Sequence, residues 1–147
     1  MSQLTTLIEL AEQATNEAAA NLGKAIQIAE NLKKQLVVLE NYQKEYISKV
    51  TAELQTGREI QYIQNFQLFI NKIGHAIKIQ HQSIHRAQQQ IETAQGNWQE
   101  LEKKRLSYLK LKQKAERLQL VKEARRDQLQ SDQDGVRQLF YKQHNAV

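Results

Sequence analysis

The stretch VTAELQTGREIQYI, residues 50–63, decides the fold. One run of regularly spaced apolar residues stops there and another begins. Gly57 stands between them, and glycine is the residue that most readily takes the left-handed conformation ending a helix. Upstream, Leu4, Ile8, Ala11, Thr15, Ala18, Leu22, Ala25, Ala29, Leu32, Leu36, Leu39, Gln43, Tyr46 and Val50 alternate spacings of four and three. Twelve of these fourteen are apolar or tyrosine. Such a sustained heptad predicts a coiled-coil helix. Downstream, Ile63, Phe66, Ile70, Ile73, Ile77, Gln80, Ile84, Ala87, Ile91, Ala94, Trp98 and Leu101 repeat the pattern. Beyond Leu101 the spacing slips to Lys104, Tyr108, Leu111, Ala115 and Leu118, which reads as a stammer.

Composition agrees. The 147 residues include no proline and five glycines, and Gln, Glu, Lys, Ala and Leu dominate. All five favour helix. The expected fold is all-α, with two long helices paired as an antiparallel coiled-coil hairpin in a single coiled-coil domain over residues 1–147. Helix one is expected at about 3–56, the turn at 57–61 and helix two at 62–131. Thr6 with Glu9 fits a capping box, and Ser2 offers an earlier start. SDQDG at 131–135 is expected to end the helix, leaving residues 132–147 as a weakly ordered tail. At ~1.5 Å per residue the helices reach ~80 Å and over ~100 Å. Folding about Gly57 sets residue 4 near residue 111, and the chain beyond overhangs. Leu118, Leu120 and Val121 fall in that overhang, which implies a partner groove or a further helix. The alanine-rich start, with Gly23, buries little area and makes the open end the weaker one.

Several functions are excluded or disfavoured. Without cysteine there is no disulfide or thiol chemistry. Neither GxxxxGK[ST] nor GxGxxG occurs, and no nucleophile–base pair can be assembled, so neither an enzyme nor a cofactor is expected. His81 and His85 are four apart, but Gln82 replaces the glutamate of a metalloprotease helix and no third ligand joins them, so no metal is expected. The N-terminus lacks the basic start of a secretory signal, and no run approaches the ~18 apolar residues of a membrane span. A soluble cytoplasmic protein is expected.

The net charge of +5 is unevenly placed. Residues 1–102 carry −2, residues 103–126 carry +8 and residues 127–147 carry −1. A basic zipper would put its basic block beside a parallel dimer, whereas here the zipper pairs within the chain. Tyr108 is the one aromatic in the block. An acidic protein surface, or simply a solvated helix face, therefore fits the block better than nucleic acid.

Aromatics are scarce, yet Tyr42 and Tyr46 stand four apart near the end of helix one. Gln35, Leu39, Tyr42 and Tyr46 follow spacings of four, three and four, and Phe69, Ile73, Ala76 and Gln80 repeat them on helix two. The two stripes mirror each other about positions 57 and 58 and lie side by side in a hairpin. Tyr46 is on the seam and Tyr42 one step off it, so Tyr42 and Phe69 are the better candidates for display.

LENYQKEY, followed by a glycine-containing turn and IQNFQLFINKIGHAI, resembles the FliJ family of bacterial flagellar export proteins. Phe66, Gln67, Phe69 and Ile70 fit the aromatic-Gln-x-Phe-Ile start of the family's second helix. The resemblance implies an antiparallel coiled coil similar to the central stalk of rotary ATPases. It implies a non-enzymatic part of the type III export apparatus, cytoplasmic and held at the inner membrane at the flagellar base through partners. Those partners would be a hexameric export ATPase, the cytoplasmic domain of the export gate FlhA, and export chaperones. Carried over, the gate-binding residues are Gln35, Leu39, Tyr42, Tyr46, Phe69, Ile73, Ala76 and Gln80, the last often histidine in relatives. Lys103, Lys104, Arg105, Arg125 and Arg126 are the candidates for the ATPase. Other readings are a stalk of a virulence secretion system, an escort chaperone, and a nucleic-acid-binding coiled coil.

Overall fold

With no proline to interrupt them, the two heptad runs form continuous helices. The computed structural model describes residues 2–57 and 59–145, with side chains described for 3–57 and 59–144. Helix α1 spans Ser2–Thr56 and helix α2 spans Ile60–Asn145. There is no strand among the described residues.

The ends follow from local chemistry. α1 starts at Ser2, so Thr6 lies inside the helix and does not cap it. It stops where Gly57 adopts φ 74°, a conformation that any side chain would strain. Thr56 Oγ1 donates back to the Glu53 carbonyl at 2.9 Å, satisfying one carbonyl of the last turn. α2 opens on the Glu59 carbonyl, which accepts from the amides of Tyr62 and Ile63 at 3.1 and 3.3 Å. The turn is therefore shorter than expected, and Arg58 lies outside the described residues.

The expected stop at SDQDG does not occur. α2 continues through it to Asn145, so residues 132–145 are helix rather than a loose tail. A single glycine costs a helix only ~1 kcal/mol relative to alanine. Gln128 Nε2 donates to Asp132 Oδ1 one turn on, at 3.3 Å. Lys142 and His144 in the last turn complement the helix dipole. Residues 146 and 147 lie outside the described residues.

Packing groups the residues into two units. The first is Gln13–Leu101, a hairpin of α1 against α2. Its antiparallel register is fixed by Tyr46 against Phe69 and by Gln80 against Leu32 and Gln35. Ala18, Ala29, Val50, Ile73, Ile84 and Ala87 form its buried apolar layer, with Thr15. Among the described residues no large side chain is fully buried, because two helices alone cannot enclose one.

The second unit is Met1–Glu12 with Glu102–Val147. Ile8 and Ala11 are its buried side chains. Arg105, Tyr108 and Leu109 are half-buried, whereas Lys104 and Leu111 are exposed. The seam thus runs Leu101, Arg105, Tyr108 with spacings of four and three, and the expected stammer at Lys104 is absent. An arginine can hold a seam position because its aliphatic stem packs while its head stays polar. From residue 110 to 144 every described side chain is exposed.

Candidate functional site

The mirrored stripes meet within the hairpin unit. Tyr46 and Phe69 are in ring contact at 4.6 Å, and Tyr46 also meets Phe66 at 6.0 Å. Lys49 Nζ sits 5.3 Å from the Tyr46 ring centroid, a cation–π contact. At the far end of the stripes, Gln80 Nε2 donates to the Leu32 carbonyl at 2.8 Å and to Gln35 Oε1 at 3.2 Å. An amide on a seam position would be costly unbonded, and this pair of acceptors removes that cost.

The eight residues do not share one exposure. Tyr42 is 52% exposed and Phe69 45%, so both present ring surface to solvent. Gln35 is exposed as well. Leu39, Tyr46, Ala76 and Gln80 are half-buried. Ile73 is only 8% exposed and belongs to the buried layer. The stripe is thus a face with Ile73 as its floor and Tyr42 and Phe69 as its projecting edges.

Two features of this face were not legible as part of the stripes. Tyr62 packs edge-on against Phe66 at 4.9 Å and extends the aromatic cluster by one turn. With Asn65 these rings line a shallow hollow of about 230 Å3 beside Phe69 and Tyr46. The available signal was the i,i+4 spacing of Tyr62 and Phe66 at the start of α2. Val38, one turn on from Gln35, and Ile79, next to Gln80, are both exposed apolar side chains.

The basic residues divide in two. Lys103, Lys104, Arg125 and Arg126 are exposed. Arg105 is not a freely displayed cation: its Nε donates to Glu102 Oε2 at 3.0 Å and a second nitrogen to Oε1. This two-point pairing is the strong form of an arginine–carboxylate contact. The hydrogen bonds from Arg105 hold the Glu102 carboxyl below the usual carboxylate range. Reciprocally, the bond to Glu102, aided by the charges of Glu102 and Glu12, holds the Arg105 guanidinium above its ordinary value.

Among the described residues no three His, Asp or Glu side chains come together as a metal site. No helix there is long and apolar enough to cross a membrane.

These geometries can be set against known proteins. The family described as Flagellar FliJ protein matches residues 1–144. The chain belongs to the FliJ family. A relative from Escherichia coli (strain K12), named Flagellar FliJ protein, is 27% identical over 139 residues, covering 95% of each chain. FliJ membership makes this a flagellar, export-related protein. The match extends well beyond residues 35–80, which carry the specific motifs, into the generic heptads on both sides.

Proposed function

We propose that this FliJ-family chain is a non-enzymatic stalk and adaptor that joins a hexameric export ATPase to the export gate FlhA and promotes type III export. The supporting observation is α2 beyond residue 109. Its side chains are exposed on every side through residue 144, and its first half carries the positive excess. A helix that packs on nothing of its own is stabilised by contacts with a partner. Exposed lysines and arginines make weak, exchangeable ion pairs with a ring of acidic groups. Lys103, Lys104, Arg125 and Arg126 are the contacts proposed for the ATPase, and Arg105 contributes by ordering the base of the segment.

The gate would meet the face of Gln35, Leu39, Tyr42, Tyr46, Phe69, Ala76 and Gln80, supported from beneath by Ile73. The protein would act in the cytoplasm, held at the inner membrane at the flagellar base only through its partners. Family membership favours this reading over a virulence-system stalk. The test is ATPase turnover: saturating protein raises the rate or assembly of the export ATPase, and Lys104→Glu/Arg125→Glu/Arg126→Glu abolishes that rise. No rise with the parent protein rejects the proposal.

The exposed Leu118, Leu120 and Val121 support a second reading, an escort for export chaperones or their cargo. A photo-crosslinker at Val121 separates the two by trapping the ATPase or a chaperone.

A further inference from the structure

Beyond residue 109, α2 carries a row that nothing else in the chain covers: Leu118, Val121, Arg125, Leu129, Asp132, Val136 and Leu139, all exposed. Successive spacings are three, four, four, three, four and three. At about 100° per residue, all seven fall within an arc of roughly 80°. Leu118 and Val136 are eighteen residues apart, as are Val121 and Leu139. Eighteen residues make about five full turns, so the row runs straight along the helix. Leu120 and Tyr141, also exposed, lie roughly 140° and 160° round from its middle. Glu116, Glu123, Asp127 and Asp134 lie on that far side too. Asp132 is thus the one carboxylate of residues 110–144 that shares the row.

The row complements its own reverse. Read forward from Leu118 it runs Leu, Val, Arg, Leu, and read backward from Leu139 it runs Leu, Val, Asp, Leu. A second copy laid antiparallel, with its Leu139 against Leu118, brings its Val136 to Val121 and its Asp132 to Arg125. The two Leu129 side chains then flank the two-fold axis, and every contact occurs twice. Sliding this register by one heptad sets Arg125 against Arg125 in one direction and Asp132 against Asp132 in the other. A parallel pair in register does both. Within its own chain, among the described residues, Arg125 pairs with no carboxylate, and Asp132 accepts from Gln128 at 3.3 Å. Both therefore keep hydrogen-bonding capacity for a partner. The overlap runs from residue 112 to residue 145, roughly 50 Å of helix. A strip about 10 Å wide on each copy covers about 1,000 Å2 in all, the lower bound for a specific interface.

We propose that this face of α2 binds the same face of a second copy, as an antiparallel two-helix coil closed by two Arg125–Asp132 ion pairs. At that area the dimer is reversible and grows with concentration. A charged pair inside an apolar seam fixes register and orientation, because every wrong alignment leaves like charges together. An anionic membrane fits less well, since Asp132 would be pressed among lipid headgroups of its own sign. Nucleic acid fits less well, since five apolar side chains would face phosphates. The dimer does not rest on the proposed ATPase contact. It does compete with it, because Arg125 serves one partner at a time.

The test is sedimentation equilibrium of the full chain alone. The parent should shift from monomer to dimer as concentration rises. Leu129→Asp, at the axis, should stay monomeric, and Leu120→Asp, on the far side, should dimerise like the parent. Arg125→Asp and Asp132→Arg should each weaken the dimer. An equal mixture of those two variants should associate about tenfold more tightly than either alone, because both ion pairs then join opposite charges. That gain requires both variants to be folded, so it reads the interface and not a loss of helix. The chain has no cysteine, so cross-linking can report the direction. Mixed Val121→Cys and Val136→Cys copies should form a disulfide, and Val121→Cys alone should not. A parent that stays monomeric, a mixture no tighter than its components, or ready cross-linking of Val121→Cys alone overturns the proposal. So does equal dissociation by Leu120→Asp and Leu129→Asp. A monomeric parent that binds phosphatidylglycerol vesicles or the purified export ATPase, and loses that binding in Leu129→Asp, gives the row to lipid or to the ATPase and overturns the second copy.

Discussion

Tyr46 of α1 lies against Phe69 of α2, ring centroids 4.6 Å apart and planes at 57°. The contact joins positions about three turns from the junction on either side, and it separates Tyr46 from its neighbour Tyr42. Only one of the two tyrosines is held by the opposite helix through its ring. Replacing Tyr46 by alanine should therefore cost about 2 kcal/mol, combining lost area with an aromatic pair. Tyr42→Ala should stay within about 0.5 kcal/mol. Urea unfolding followed by circular dichroism checks both, and equal losses would show that Tyr42 is packed rather than displayed.

Ile73 supplies the floor of the same face. Ile73→Ala should cost about 3 kcal/mol, and Ile73→Val about 1 kcal/mol, as for other buried aliphatic side chains. On the proposed gate contact, Tyr42→Ala should lower gate affinity, and Ile73→Val should leave it unchanged because Ile73 presents almost no surface. Calorimetric titration with the gate's cytoplasmic domain distinguishes them.

Glu102 and Arg105 give the second unit a pH signature. Arg105 lowers the folded-state pKa of Glu102. The pairing thus contributes its full stabilisation above the ordinary carboxylate pKa, about 4.3, and loses it as pH falls through the lower folded value. Glu102→Gln should remove that part of the acid dependence and leave the rest unchanged. Carbon-13 titration of the Glu102 carboxyl, with and without Arg105→Gln, measures it directly. An unchanged carboxyl titration in the Arg105 variant would reject the pairing.

The helical course of residues 132–145 has its own test. Gly135 is in a helical conformation, and a Cβ there would meet nothing within 4 Å. Gly135→Ala should stabilise that stretch locally by about 1 kcal/mol. Amide exchange across residues 130–145 should slow several-fold. Unchanged or faster exchange would mean that the stretch is not helix in solution.

The heptads and Gly57 were enough to establish two helices and their antiparallel pairing. Periodic apolar residues have one low-energy arrangement when a short turn joins them, and the pairing of Gln35 with Gln80 and Tyr46 with Phe69 follows from counting outward from that turn. The motifs around Tyr42, Phe66 and Phe69 also made the family legible. The exposure of Tyr42 was legible too, because it lies one step off a seam of the kind that Ile73 occupies on α2. Two matters belonged to the tertiary structure. Arg105 looks like a free cation in a basic run, yet packing of its stem and pairing with Glu102 make it a seam residue and remove the stammer. The run SDQDG carries turn-forming residues, but with no proline its cost is small, and α2 continues through it. In each case the pattern of residue types fixed which elements form, and contacts between side chains decided where each residue points and where each element ends.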